Sequence, residues 1–314
     1  MATDASPSPV GADPTGLPAR PVLRPGVHVV RRDDRHLQVG VDVPGALVVP
    51  DDPETRRLLE DLRTGVSPAT DSPAARRLLR DLLAHGLVVD GAARDRALRD
   101  AADRAAVAAA WAQYGDDAPR RLAARAGARV LVEGPADPAQ AATRLLRAEG
   151  VGIAASPDEA TVVLVVADTV LPRARLDPVL RAGLPHLVVA PGPGGLVVGP
   201  FVAPGLTACL RCVDARLAER DPRRSMLLEQ CGPATLADGP TPRDPALLTL
   251  AVALASREVV SFVDGDEPAT WSASVTVGPD LGLARRGWRR HPHCGCAWDD
   301  LLAVQVAPFS STRS

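Results

Sequence analysis

The chain has 314 residues, enough for two domains, and a hydrophobic content of 46% that supports genuine cores. A formal charge of −2 gives no electrostatic case for a nucleic-acid partner, and no run approaches the ~20 uninterrupted apolar residues of a membrane span. All 36 basic residues are arginine, which excludes any mechanism that needs a lysine, such as a Walker-type phosphate clamp or a Schiff base.

Residues 1–20 are rich in Pro, Gly, Ala and Ser and lack the basic start and apolar middle of a signal peptide, so they read as a disordered tail. Residues 21–91 read as a small α+β unit. Strands are predicted at 22–30 and 36–41, with a polar turn over 31–34, and a third strand at Ala46, Leu47, Val48 and Val49 ends at Pro50. Two punctuated helices follow. The first has Asp52 as cap, Pro53 at its first position, a stripe of Leu58, Leu59 and Leu62, and Gly65 as its stop. The second has Ser72, Pro73, a stripe of Leu78, Leu79, Leu82 and Leu83, and Gly86. A returning strand at 87–89 completes a pattern that suggests a winged helix-turn-helix. Residues 92–127 are Ala- and Arg-rich and predict a helical connector, its few large apolar residues (Val107, Trp111, Leu122) packing on a neighbour.

From residue 128 the character changes. Strands at 129–132, 152–154, 161–166 and 185–190 alternate with helices at 139–149 and 176–182, and the strands are nearly continuous apolar runs. This predicts an α/β, Rossmann-like, mostly parallel sheet with helices on its faces over residues 128–305. A strongly apolar helix opens at Asp244-Pro245 and runs to about Val263, a hairpin is predicted over 271–277 and 283–288, and 306–314 form a short tail.

Four of the five cysteines fall in two close pairs, Cys209 with Cys212 and Cys294 with Cys296, separated by a long stretch of chain. Two thiolates from each pair complete a tetrahedral all-cysteine zinc site, a structural knuckle tying the C-terminal region to the middle of the chain. Such spacing fits a reducing, cytoplasmic compartment better than a disulfide framework. His291 and His293 flank the second pair; with four cysteines sufficient, they are expected to support the site or lie at the surface.

The segment Val198-Gly199-Pro200-Phe201-Val202-Ala203-Pro204-Gly205 leading into Cys209-Leu210-Arg211-Cys212, the helix after Asp244, and the ending His291-Pro292-His293-Cys294-Gly295-Cys296 resemble the ThiF-like branch of the ubiquitin-activating-enzyme superfamily. More narrowly, the chain resembles the ThiF-like partner proteins of YcaO cyclodehydratases, which help convert Cys, Ser and Thr of ribosomally made precursor peptides into azolines, as in bacteriocin biosynthesis. In that group a PqqD-like winged helix, the precursor recognition element, precedes the ThiF-like domain, in the order found here.

The departures from an adenylating enzyme matter more than the similarities. Such enzymes carry a Gly-rich turn after the first strand, so that backbone N–H groups approach the nucleotide phosphates. Here the turn reads Gly134-Pro135-Ala136-Asp137-Pro138: two prolines remove donors and Asp137 repels phosphate. The next strand ends Ala154-Ala155-Ser156 where an acidic residue would hold ribose, and the family's ATP-site lysine is absent. ATP binding is therefore not expected. Asp168, where active relatives keep an acidic residue near magnesium, reads as a strand-end capping residue. Cys231, outside the pairs, is a weak catalytic candidate, since no His or Lys stands near it in sequence.

In the PqqD-like reading, an extended leader peptide pairs with the edge of the strand at Ala46, Leu47, Val48 and Val49, and its side chains enter a groove beside the second helix. Arg76, Arg77 and Arg80 on that helix either pair with acidic leader residues or form a solvated face. The expectation is a non-catalytic scaffold that captures a precursor leader and presents it to a YcaO-type enzyme, with a homodimer through the helix after Pro245 as an option. Two other readings stay open: a ThiF-type adenylating or sulfur-transfer enzyme using Cys231, and a winged-helix DNA-binding regulator.

Overall fold

A computed structural model describes residues 18–41, 45–230 and 244–297. The chain divides into two compact units, Met1–Ala123 and Ala124–Ser314. Cys231 lies outside the described residues.

In the first unit, strands β1 (Pro21–Leu23), β2 (Val29–Arg31), β3 (His36–Val39) and β4 (Leu47–Pro50) precede helices α1 (Pro53–Thr64) and α2 (Pro73–Ala84) and strand β5 (Val88–Asp90). The strand expected over 22–30 is in fact two strands in different sheets. Gly26 takes a left-handed φ of 82° after Pro25, which turns the chain, so β1 pairs with β5 while β2 joins β3 and β4. Both helix starts follow the sequence: Asp52 accepts from the Thr55 N–H at 2.8 Å, and the Ser72 hydroxyl accepts from the Ala75 N–H at 2.9 Å. Gly65 closes α1 with a φ of 78°. The leucine stripes of α1 and α2 then meet the inward alternation of the three-stranded sheet, packing Leu58, Leu62, Leu79 and Leu82 on Leu37, Val39 and Val49.

Residues after β5 form α3 (Gly91–Asp100), α4 (Arg104–Tyr114) and α5 (Ala118–Gly127). Trp111 is fully buried and shares a cluster with Val22, Val89, Ala110 and Ala118, so α4 docks on the β1–β5 pair.

In the second unit the elements are β6 (Arg129–Glu133), α6 (Ala136–Ala148), β7 (Gly152–Ile153), β8 (Val162–Val166), α7 (Asp177–Arg181), β9 (His186–Gly192), β10 (Gly195–Val198), α8 (Leu210–Ala218), α9 (Arg224–Gln230), α10 (Pro245–Val263), β11 (Ala273–Val277) and β12 (Leu283–Gly287). They build one seven-stranded sheet in the order β12-β11-β10-β9-β8-β6-β7. The strands β7, β6, β8 and β9 run parallel, and β10, β11 and β12 extend the sheet by antiparallel hairpins. β8, Val162–Val166, is buried along its whole length, as a strand covered on both faces must be.

Helix α10 packs on α6 and on the β8–β11 part of the sheet, burying Leu247, Ala251, Val252, Ala255, Val259 and Val260. Among the described residues it alone is long and apolar enough to cross a membrane, and its buried face shows why: it is the central core helix of the unit. At its end Asp264, fully buried, receives both Nε and an NH2 group of Arg125, each at 2.7 Å.

Candidate functional site

The two cysteine pairs meet. Cys209 is the residue before α8, with extended backbone angles, and Cys212 lies in that helix's first turn, so both sulfurs face the helix start, where the aligned peptide dipoles favour thiolates. Cys294 and Cys296 come from the tight turn after His291-Pro292. The four sulfurs lie within 4.8 Å of one another. Cys209 Sγ stands 3.8 Å from Cys212 Sγ and 3.6 Å from Cys294 Sγ, and Cys212 Sγ stands 3.3 Å from Cys296 Sγ. A tetrahedron with metal–sulfur bonds of about 2.3 Å has edges of about 3.8 Å, so this donor set fits a four-coordinate metal ion.

The protonation balance agrees. Thiol donors at Cys209 and Cys296 hold the Cys212 pKa well below the thiol range, while hydrogen bonds to Cys212 and Cys296, with burial, push Cys209 up. Cys296 is pushed up to about 12, the lowering bond from Cys209 being outweighed by the one to Cys212 and by burial. A divalent ion bound among the four sulfurs would favour their thiolate forms and release the protons they carry. The surroundings close the site: Val202, Ala208 and Trp288 pack on it, Arg290 donates to the Cys296 carbonyl at 2.8 Å, and Arg216 donates to the Arg290 carbonyl at 2.9 Å. The His291 ring instead reaches Glu219, 3.4 Å away, and accepts from the His293 N–H at 3.2 Å.

At the carboxyl ends of the parallel strands, where open α/β sheets take ligands, lies a cavity of about 230 Å³. Its walls are Pro135, Pro138, Val166, Pro191, Leu196 and Leu247, with Asp168 and Asp244 as charges and no arginine among the described residues. Gly134 crosses directly beside β8: with φ at 151°, a Cβ there would sit 2.5 Å from the Val166 carbonyl oxygen. The glycine is thus needed for packing against the next strand. Asp137 stands in the first turn of α6, Pro135 precedes that helix, and Pro138 removes another N–H. The turn thus lacks two backbone N–H donors and carries a carboxylate at the start of α6.

In the first unit, a second cavity of about 290 Å³ opens between β4 and the helices α1 and α2, floored by Leu47, Val49, Leu58, Ala75 and Leu78. Hydrogen-bond parity shows which backbone groups of β4 face its free side. The Asp51 N–H donates to the Arg35 carbonyl, while Gly40 donates to His28 and Arg32 to His36 on the opposite side of β3. With the Leu37–Val49 and Val39–Leu47 pairs in register, residues 47, 49 and 51 bond inward to β3, and Ala46, Val48 and Pro50 turn outward. Pro50 has no N–H, so the strand's outer edge offers one complete donor–acceptor pair, at Val48, flanked by further groups at Ala46 and an acceptor at Pro50.

Of the arginines singled out from sequence, Arg77 lines this groove. Arg76 donates to the Thr70 and Asp71 carbonyls at 2.8 Å each, and Arg80 Nε stands 3.4 Å from the Arg76 carbonyl. Sequence reasoning did not single out Glu54 and Asp81, which also line it; their signal was their place, one in the first turn of α1 and one a turn after Arg77.

No protein-family model and no curated protein matches the chain. Solved structures do. The heterocyclase TruD superposes with a TM-score of 0.66 at 20% identity over 89% of this chain and 43% of its own, and a heterocyclase in complex with substrate and cofactor gives 0.64 at 19% over 88% and 39%. The chain therefore spans well under half the length of these two. E. coli MccB with succinimide superposes with a TM-score of 0.63 at 15% identity, over 89% of this chain and 99% of that one. The shared property is the fold, over nearly all of this chain.

Proposed function

We propose that the chain is a leader-peptide-binding scaffold of azoline-forming peptide maturation. In this reading the first unit is a PqqD-like winged helix that takes the leader of a precursor peptide by strand addition. The second is a ThiF-like domain with a structural zinc knuckle at Cys209, Cys212, Cys294 and Cys296. It docks a separate YcaO-type cyclodehydratase, which supplies the ATP-dependent chemistry in the cytoplasm. The observation that carries the reading is the edge of β4, free among the described residues, with Val48 turned outward beside an apolar groove. An uncovered edge of this kind invites pairing, and a partner strand resolves it.

The comparisons support the same direction. One neighbour is a heterocyclase solved with substrate and cofactor, and E. coli MccB has been solved with MccA. MccB has also been solved with ATP; in this chain the turn after β6 carries Pro135, Asp137 and Pro138, which supports a scaffold without adenylation chemistry of its own.

The test uses the precursor peptide encoded beside a YcaO-type gene. Fluorescence anisotropy on the full chain should show saturable leader binding that Val48→Pro abolishes and Val48→Thr retains, since the Val48 N–H is not used within the sheet. Calorimetry should show no ATP binding, and Cys231→Ala should leave the partner's cyclodehydration rate unchanged. Saturable ATP binding, or loss of activity in Cys231→Ala, would instead make the chain an adenylating or thiol-transfer enzyme.

A further inference from the structure

The groove beside β4 carries a charge pattern that the sequence did not reveal. Its lining holds three carboxylates, Asp52, Glu54 and Asp81, against one guanidinium, Arg77. Asp52 is committed to capping α1 through the Thr55 N–H and hydroxyl. Glu54, Asp81 and Arg77 are all exposed and make no ion pair among the described residues. Of the three cations of α1, Arg56 and Arg63 are taken up by Asp51 and Glu60, and Arg57, exposed, is not one of the residues that line the groove. Even if Arg77 swings onto Asp81 one turn along α2, the groove keeps an excess of negative charge at the start of α1.

Backbone and floor set the remaining chemistry. A strand added beside Val48 places alternate side chains on the side of Leu47 and Val49, over the apolar floor, and the others toward solvent. We propose that this groove selects an extended peptide whose alternating apolar side chains are flanked by a cationic side chain, Lys or Arg, that meets Glu54 and Asp81. The proposal rests on the reading of the groove as a peptide site and adds the sign of the charge it prefers. Carboxylates left unpaired at the rim of an apolar cleft lose little solvation when a cation approaches. They therefore attract a basic partner and penalise an acidic one.

The experiment uses the full chain and three short fluorescent peptides that share alternating Leu and Val and differ only in their flanks: Lys at both ends, Gln at both ends, or Glu at both ends. Symmetric flanks make the result independent of peptide direction. The Lys peptide should bind about five-fold tighter than the Gln peptide, and the Glu peptide should be the weakest. The spread should collapse as salt approaches about 1 M, where the screening length is about 3 Å. The neutral double variant E54Q/D81N should bind all three alike, and E54K/D81K should reverse the order. Both positions are exposed, and circular dichroism reports whether either variant has lost its fold. All three peptides binding in a Val48-dependent way without charge preference, or with Glu favoured, overturns the charge assignment and leaves the peptide site standing. Binding by none of them, or binding that survives Val48→Pro, overturns the peptide reading itself.

Discussion

Arg125 and Asp264 meet through two parallel hydrogen bonds of 2.7 Å, 139 residues apart in sequence, with 2% and 0% of their side chains exposed. The pair joins the last turn of α5 to the end of α10, and a further Arg125 nitrogen reaches Glu149, just after α6, at 2.5 Å. One guanidinium thus fastens three segments of the second unit, which begins at Ala124 within α5.

Removing Asp264 takes two charge-assisted hydrogen bonds from a buried guanidinium, whose bond to Glu149 remains. Asp264→Ala should cost about 3–5 kcal/mol of unfolding free energy, whereas the double variant Arg125→Met/Asp264→Leu should be less damaging than either single change. Urea denaturation of the four proteins of this cycle measures it. Single changes costing under about 1 kcal/mol would show that the pair is solvated and idle.

This pairing also marks where the sequence stops being legible. Arg125 lies in a helix with Arg120 and Arg121, which pair with Asp117 at the surface; nothing in composition distinguishes the buried arginine from its neighbours. The cysteine pairs were legible because a metal demands ligand types at short spacing, whatever the fold around them. The starts of α1 and α2 were legible because their caps act within four residues. By contrast, β10 was hidden. Its approach through Gly192, Gly194 and Gly195 looks like a loop, yet at Gly195 a Cβ would lie 2.0 Å from the Val277 carbonyl oxygen, so glycine is there to let β11 pass closely. The split at Pro25-Gly26 was missed for the opposite reason, since Val22 to Val30 reads as one apolar run until the turn is given weight.

The cap of α1 offers a prediction confined to the first unit. The Asp52 carboxylate accepts from both the N–H and the hydroxyl of Thr55, itself buried. Asp52→Ala should cost about 1–2 kcal/mol and Asp52→Asn much less, because Asn restores a cap. Thermal unfolding of the two variants discriminates; equal losses would mean that charge rather than capping is at stake.

His186 begins β9 fully buried. Its Nδ1–H donates to the Leu184 carbonyl at 3.0 Å, and Nε2 has no partner among the described residues. Burial lowers its pKa from 6.5, with the Leu184 bond opposing. The folded chain resists a proton that the unfolded chain accepts, so this contribution is intact above pH 6.5 and is lost as pH falls below it, toward the lowered folded value. His186→Leu should flatten that part of the profile. The urea midpoint between pH 8 and 5, compared for the two proteins, tests this; parallel profiles would place the acid sensitivity elsewhere.

The cysteine cluster gives the most direct prediction about composition. Three of its four sulfurs are buried and the fourth is partly so, and the segments that carry them are also joined by the Arg290–Cys296, Arg216–Arg290 and His291–Glu219 contacts and the packing of Val202 and Trp288. Purified protein should therefore hold one zinc ion per chain, and Cys212→Ser should lower the stoichiometry and destabilise the second unit. Chelation should be slow, because four cysteines fill the coordination shell and three of them are buried, and should release the metal together with proton uptake by the freed thiolates. Elemental analysis and a pH-indicator titration read both quantities. A chain that folds with the same midpoint with and without the metal would show that the knuckle only decorates a sheet that α10 already holds, since Ala251, Ala255 and Val259 lie at its centre with no side-chain exposure.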